Sequence, residues 1–328
     1  MMQSTSIPLL AKRMRLRKES GENPYILFLG AGISISSGVS NMNEIIDQFL
    51  IDFSIVSDEK LSEMDRDERF ERFVSEMENL NETERCIWLK RGVEDVEPSA
   101  GYTALTRLIE EGYFDMLFTT NWDNLLDLSL ERSKIIKNKR DFRFYVRGID
   151  QDDFIIRSFQ RFPIPRIKIL KLHGDLDSQA IFVTPKQTAT FPNEITEFLK
   201  LCFRQRDLII IGHSASDLDI QRCIGIDRQN ENTLIYINPK ATRNQFVLSL
   251  EDNYKLAQEI VGGDAEFDVF MSKLSEEILK LPEAILQGDL GMRRGMPLNL
   301  LAKISMDVQK IHENFDWLVT YLRNREKN

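Results

Sequence analysis

Cysteine is scarce in this chain: Cys86, Cys202 and Cys223 are the only three in 328 residues, and no two form a Cys-x-x-Cys pair. An odd, scattered set supplies no disulfide framework and reads as reduced thiols in a cytoplasm. No run of eighteen apolar residues occurs, so no helical membrane span is expected. The first residues also lack the apolar segment of a secretory signal. Positive charge is in deficit, with 43 Lys and Arg against 52 Asp and Glu and a net charge of −9. An acidic surface repels phosphate backbones, which argues against direct nucleic-acid binding. Sixteen Gly and ten Pro are too few for a fibrous or disordered chain, and no internal repeat is found. The Gly-x-x-x-x-Gly-Lys-Ser/Thr phosphate loop is missing too, Lys186 being the one lysine near its wording, so a nucleotide triphosphatase is unsupported.

What remains is an ordinary globular composition, 42% hydrophobic and 29% charged, long enough for one large α/β domain or two modest ones. Short apolar runs at Tyr25–Leu29, Phe114–Thr119, Ile167–Leu172, Asp207–Ile211 and Leu234–Ile237 read as strands. Helical spacing follows most of them, as in Ile45, Ile46, Phe49, Leu50 and Phe53, and in Tyr102, Leu105, Leu108 and Ile109. Ser57–Arg91 is charge-rich and helical in character. Leu256–Ile260 and Phe267–Leu281 read as amphipathic helices, and Gly288–Pro297 as a linker to a last helix around Leu301–Leu322. That helix packs on its own core or serves a subunit interface. Alternating strands and helices predict an α/β fold: a Rossmann-like, mostly parallel sheet with helices on both faces, a helical insertion and C-terminal helices. The expected divisions are a basic arm over 1–20 (Lys12, Arg13, Arg15, Arg17, Lys18), a main domain over 21–285 with its insertion at about 41–112, and a linker and helix over 286–328. The basic arm reads as a solvated helix or as a docking segment for an acidic partner.

The informative pattern is positional. Four predicted strands end in polar clusters: Gly30-Ala31-Gly32-Ile33-Ser34, Thr120-Asn121-Trp122-Asp123, His173-Gly174-Asp175 and Gly212-His213-Ser214. In an open parallel sheet the C-terminal strand ends share one edge, and ligands bind in the crevice there. Gly30-Ala31-Gly32 alone reads equally as a structural strand-to-helix turn, because the third glycine of a dinucleotide fingerprint is out of place. His173 also reads as a core histidine, Asn121 as a turn residue, and Asp217 and Asp219 as helix-start carboxylates.

Taken in chain order, Gly30-Ala31-Gly32-Ile33-Ser34 with Ser37-Gly38-Val39, Thr120-Asn121-Trp122-Asp123, Leu172-His173-Gly174, Gly212-His213-Ser214 and Ile237-Asn238 resemble the sirtuin family over about residues 25–240. Two departures select a branch. Deacylases of that family carry a four-thiolate zinc ribbon between the His-Gly and Gly-x-Ser motifs, but here that interval holds only Cys202, so no zinc is expected. Ser40-Asn41-Met42-Asn43-Glu44 stands where an Asp-Phe-Arg triplet is usual, and Thr120 replaces the Gln before the Asn. Both changes resemble the sirtuin-like domains of bacterial anti-phage systems, which hydrolyse NAD to nicotinamide and ADP-ribose.

The resemblance implies NAD as substrate and Asn121 and His173 as the catalytic pair. Asn121 would orient water or the carboxamide, and His173 would bond the ribose hydroxyls and accept a proton. Asp123 would bind the nicotinamide side. Gly30, Ala31, Gly32, Ser34, Ser37, Gly38 and the helix after them would cradle the pyrophosphate. Gly212 and Ser214 would sit by phosphate or ribose, and Asn238 by the adenosine ribose. Relatives of this kind act as oligomers or with a second protein such as a ring-shaped translocase ATPase, so a homo-oligomer or a protein partner is expected, with no membrane. Two rivals stand beside this reading. One is a non-catalytic NAD or ADP-ribose-binding subunit. The other is a serine hydrolase built on Gly212-His213-Ser214-Ala215-Ser216, weakened because the second Gly of the elbow is Ser216 and the only later histidine is His312.

Overall fold

The computed structural model describes residues 2–280 apart from 54, 189–190, 226–229 and 241–244. The expected linker and terminal helix at 286–328 lie outside the described residues. In chain order the elements are β1 (Gln3–Ser4), α1 (Ile7–Glu19), β2 (Ile26–Leu29), α2 (Met42–Asp52), α3 (Asp58–Glu63), α4 (Arg66–Asn79), α5 (Glu82–Lys90) and α6 (Ala100–Glu110). They continue with β3 (Met116–Thr119), α7 (Leu125–Glu131), β4 (Phe142–Val146), α8 (Asp152–Arg161), β5 (Ile167–Lys171), β6 (Gly174–Asp175), β7 (Ala180–Ile181) and α9 (Pro185–Thr188). The last are α10 (Asn193–Gln205), β8 (Leu208–Ile211), α11 (Leu218–Ile224), β9 (Asn230–Asn238), α12 (Gln245–Asn253), β10 (Tyr254–Val261) and α13 (Phe267–Leu279).

Eight strands form one sheet in the order β1-β10-β9-β8-β2-β3-β5-β4, and every pairing in it is parallel. Period-two alternation on strands buried from both sides explains the apolar runs. Leu27 and Leu29 of β2 face one core with Ile209 and Ile211 of β8, whereas Ile26, Phe28, Leu208 and Ile210 face the other. Residues of α1, α6, α7 and α13 close the first core, and residues of α8, α10, α11 and α12 the second. The sheet therefore grows outward from β2, through β3 on one side and β8 on the other. That reversal is the topological switch point, and open parallel sheets bind ligands at the C-terminal strand ends beside it.

A third cluster gathers Phe49 of α2, Phe73 of α4 and Leu89 of α5 with Leu176 and Ile181 of the small β6–β7 hairpin. Trp122, beside Asn121, packs against the same cluster. The helical module is thus anchored on the segments that carry the polar strand ends. Its helices start with local caps: Asn41 with Glu44 and Asn81 with Glu84 make reciprocal capping boxes, and Asp65 caps α4 through Glu68 N–H at 2.9 Å. By contrast, α6 packs on the main sheet through Tyr102, Leu105, Leu108 and Ile109.

Three features differ from the sequence reading. Leu256–Ile260, expected as a helix, lies in strand β10, which pairs with β9 from Tyr254 to Val261. The apolar pair Leu256 and Ile260 also fits a strand face. Gln258 between them is buried, with its side chain taken by Arg13, and a bulge at Tyr254/Leu256 shifts the phase. The Gly30 loop leads into two 3-10 turns, Ala31–Ile33 and Ile35–Ser37, and Gly38 closes them at φ 94°. No α-helix begins until Met42, so the expected helix dipole behind the loop is not there. Residues 34–38 supply four helix-poor Ser and Gly positions, and only glycine takes that φ without strain. The basic residues near the N-terminus belong to α1, which packs on the first core. Three of them bond within the chain, Arg17 to Asp207 at 2.5 Å, Arg15 to Glu277 O and Lys18 to Glu111 O, while Lys12 and Lys18 remain exposed.

Candidate active site

At Gly30, Gly32 and Gly212, beyond the C-terminal ends of β2 and β8, two loops meet main chain to main chain. Gly32 N–H donates to Gly212 O at 2.8 Å. A Cβ on Gly30 would come within 2.5 Å of His213 Cα, and one on Gly32 within 2.8 Å of Gly212 O. The glycines are therefore demanded by contact between the loops.

Ser34 is the hub of a buried network. Its hydroxyl donates to Asp123 Oδ2 at 2.7 Å and accepts from Asn121 Nδ2 at 3.0 Å, with Tyr102 OH at 3.1 Å. Because its single proton goes to the carboxylate, the Tyr102 hydroxyl must donate to it. The same argument sets the Asn121 amide: its NH2 faces Ser34, and its Oδ1 is buried with no hydrogen-bond partner among the described residues. An orphaned buried acceptor costs roughly 1–3 kcal/mol, and a bound donor would relieve it. Burial pushes the Asp123 carboxyl above its ordinary range, against the pull of Ser34, Leu125 N–H and Lys171. Ser34 is thus committed inward.

Asn121 and His173 leave adjacent strand tips. Thr119 of β3 is in register with Lys171 of β5, so each stands two residues beyond a paired position, and neighbouring strands lie about 4.8 Å apart. Leu172 N–H donates to Thr119 O at 2.8 Å and Leu176 N–H to Trp122 O at 3.1 Å. The two segments are thereby tied on either side of this pair. His173 Nε2 meets Asp219 Oδ2 at 3.0 Å, both side chains buried. Its Nδ1 makes no hydrogen bond among the described residues. Asp219 Oδ1 accepts from Ile220 N–H at 2.7 Å, which fixes the carboxylate. Arg147 is buried beside this pair, its guanidinium 4.0 Å from the Phe182 ring centre and donating to Leu172 O at 3.1 Å.

A second histidine pair flanks the first. His213 Nδ1 accepts from Ala215 N–H at 2.9 Å, so in the neutral ring the proton sits on Nε2 and is donated to Asp217 Oδ2 at 3.1 Å. Burial works to raise the Asp217 carboxyl, but the His213 bond and charge outweigh it and hold it below the usual range. Asp217 and Asp219, read from sequence as helix-start carboxylates, do stand at the start of α11, yet Asp217 makes no side-chain capping bond there. Both carboxylates serve histidines. Their spacing before a short helix gave no sign of that, because the histidines belong to other segments.

Below the Asn121–Asp123 loop, Lys171 Nζ contacts Asp175 Oδ1 at 2.6 Å, Asp127 Oδ2 at 2.8 Å and Asp123 O at 3.0 Å. Burial pushes Asp127 up to about 6 against the pull of Lys171. The sequence reading passed over Lys171, Tyr102 and Arg147. The one visible signal was that Lys171 shares its strand face with Ile167 and Ile169.

The remaining expected residues are spread along the same edge. Ala31 is exposed in the first turn. Ser37 Oγ accepts from Ser99 N–H at 3.0 Å, tying the Gly38 turn to the start of α6. Ser214 pairs with Ser216 at 2.6 Å, whereas His213 turns to Asp217. His312, the later histidine of the serine-hydrolase reading, lies outside the described residues. Asn238 ends β9 with its amide donating to Tyr236 OH at 3.1 Å. Cys202, in the interval where a zinc ribbon would stand, is buried in the second core. A cavity of about 290 Å³ adjoins Asp123, walled by Val93, Val96, Leu128 and Leu176 and rimmed by Arg132 and Asp177.

Residues 115–257, from the start of β3 into β10, match the SIR2-like domain family. The NAD(+) hydrolase ThsA of Acinetobacter baumannii is 24% identical over 255 residues, covering 75% of this chain and 48% of the relative. The chain therefore spans about half the length of that curated relative. Among solved structures, a Sir2 homologue variant in complex with ADP-ribose aligns over 83% of this chain and 98% of its own at 16% identity and a TM-score of 0.47. A Sir2 homologue–NAD complex aligns over 85% and 96% at 15% identity and a TM-score of 0.41. The family match over residues 115–257 and the curated relative together support a likeness of this protein to the sirtuin-like family.

Proposed function

We propose that the protein is an NAD hydrolase that cleaves the dinucleotide to nicotinamide and ADP-ribose. The observation that carries this is the orphaned, buried Asn121 Oδ1 on the strand tip next to the His173–Asp219 pair. Nicotinamide in NAD is already cationic, so it departs with the bonding electrons and needs no acid. The protein must hold the ribose, tolerate an oxocarbenium-like centre and aim a water. Asn121 Oδ1 accepts a hydrogen bond from that water or from a ribose hydroxyl. As the water oxygen bonds to the anomeric carbon, His173 Nδ1 takes the released proton, and Asp219 on Nε2 stabilises the imidazolium that forms. Asp123 faces the carboxamide side, where the adjoining cavity offers apolar walls for a ring. The pyrophosphate lies along the Gly30–Gly32 and Gly212 loops, with Ser214 and Asn238 toward the adenosine end.

The relative's printed activity, NAD(+) hydrolysis, supports the reading. The wider role we propose is that of a cytoplasmic anti-phage effector that depletes NAD once assembled as an oligomer or engaged by a partner such as a ring-shaped translocase ATPase. Among the described residues no helix is long and apolar enough to cross a membrane. The test incubates the purified chain, alone and with its operon neighbours, with NAD and follows nicotinamide release. Release that disappears in Asn121→Ala and in His173→Ala supports the assignment. Full release in both variants removes it. NAD binding without release under every condition favours a binding subunit instead.

A further inference from the structure

Lys171 is 1% exposed, and no step of the proposed chemistry uses it. The strand pattern calls for an aliphatic residue at its place, since Ile167 and Ile169, four and two residues earlier, enter the first core. Burying a cation there is costly unless it is paired and fully bonded. It donates hydrogen bonds to Asp123 O, in the loop that holds Asn121, and to Asp175 Oδ1, in the turn that begins at His173, and it forms an ion pair with Asp127 Oδ2 of α7 at 2.8 Å. Asp175 is held in turn, its Oδ2 accepting from Ser178 N–H at 2.8 Å. The Phe144 ring, 5.5 Å away, closes the β4 side. An aliphatic side chain would fill this volume but tie nothing together.

We propose that Lys171 is a positioning residue for the Asn121–His173 pair, its ammonium fixing the separation and tilt of the two strand tips without touching substrate. The proposal rests on the NAD-cleaving reading for its kinetic test, and it has a second readout that does not. Removing Lys171 alone would leave Asp127 and Asp175 facing each other uncompensated, so the informative variant is the double Lys171→Met/Asp127→Asn, which keeps the volume and the net charge of the cluster and leaves Asp175 its bond from Ser178 N–H. With folding verified by circular dichroism and thermal melting, ADP-ribose affinity should stay within about threefold of the parent, because the loops of β2, β8 and β9 are untouched. The kcat for nicotinamide release should fall by about tenfold or more with KM little changed, as expected when reacting groups are displaced by a fraction of an ångström. Lys171→Arg keeps the charge but replaces three radial donors by a planar fork, and should fall between. A folded double variant with the parent's kcat overturns the proposal, and so does one whose ADP-ribose affinity falls in step with kcat. If the parent releases no nicotinamide at all, the NAD reading fails by itself. The positioning role is then read from the His173 imidazole resonances by NMR: a changed titration midpoint in the double variant supports it, and an unchanged one sinks it.

Discussion

Asp219→Asn exchanges one buried oxygen for an amide nitrogen at constant volume. In the parent, Asp219 Oδ1 takes Ile220 N–H at 2.7 Å and Oδ2 takes His173 Nε2–H at 3.0 Å. The Asn side chain keeps the first bond only by turning its NH2 toward His173. The imidazole must then offer a lone pair at Nε2 and carry its proton on Nδ1, the nitrogen that should receive a proton from water. A hydrogen bond to a charged acceptor contributes about 1.5–3 kcal/mol, which at 1.36 kcal/mol per decade corresponds to roughly ten- to hundredfold in rate. The wrong tautomer adds to that, since the equivalent exchange in a Ser-His-Asp triad costs about 10⁴. We therefore expect kcat to fall by at least about a hundredfold, with ADP-ribose affinity nearly unchanged because the phosphate-side loops are not involved. The assay is steady-state nicotinamide release at saturating NAD between about pH 6 and 8, where histidine titrates, alongside calorimetric binding of ADP-ribose. A variant that turns over within about threefold of the parent, while His173→Ala is dead, would show that Asp219 does not act through His173.

Three other outcomes follow from the same geometry. Gly32→Ala drives a Cβ to 2.8 Å from Gly212 O and 2.9 Å from Gly212 Cα; main chain cannot swing aside, so stability should drop by about 1–3 kcal/mol, and an unchanged urea midpoint at unchanged slope would contradict it. Asp123 holds its proton more tightly folded than unfolded because of burial. As pH rises above the unfolded value of about 3.9 the unfolded carboxyl ionises first, so this group's contribution to stability declines toward its higher folded value. Asp123→Asn should accordingly gain on the parent as pH rises above about 4, and a constant gap in urea midpoints would refute this. Burial pushes Cys202 and Cys223 up to about 12, so iodoacetamide at about pH 8 should spare both until the protein is unfolded; rapid labelling of the native protein would show those thiols to be accessible.

The strands and their polar ends were readable because a parallel strand buried on both faces leaves a short apolar run that ends where the chain turns. Leu27–Leu29, Leu117–Phe118 and Ile209–Ile211 all carry that mark. The same logic failed at Leu256–Ile260, where an i,i+4 apolar pair fits a helix or a strand and the deciding residue, Gln258, is satisfied only by Arg13 from the far end of the chain. It failed also behind Gly32, where serines and a left-handed Gly38 make 3-10 turns in place of the helix that usually follows such a loop. Strand β4 escaped notice because Phe142–Val146 mixes Arg143 into its apolar run, and its pairing with β5 is what defines it.

Sequence alone determined the α/β class and the chain order of the polar strand ends, and the family resemblance singled out Asn121 and His173. The first two depend on local spacing, which a linear pattern records. Tertiary structure decided which way the side chains are committed. Ser34 is spent on Asp123 and Asn121, Asp219 and Asp217 are claimed by two histidines, and Lys171 ties both strand tips from below. Those partners lie between 4 and 89 residues apart along the chain. Only the stacking of parallel strand ends along one edge brings such distant polar atoms within hydrogen-bond reach, and a buried polar atom takes whichever partner that packing delivers.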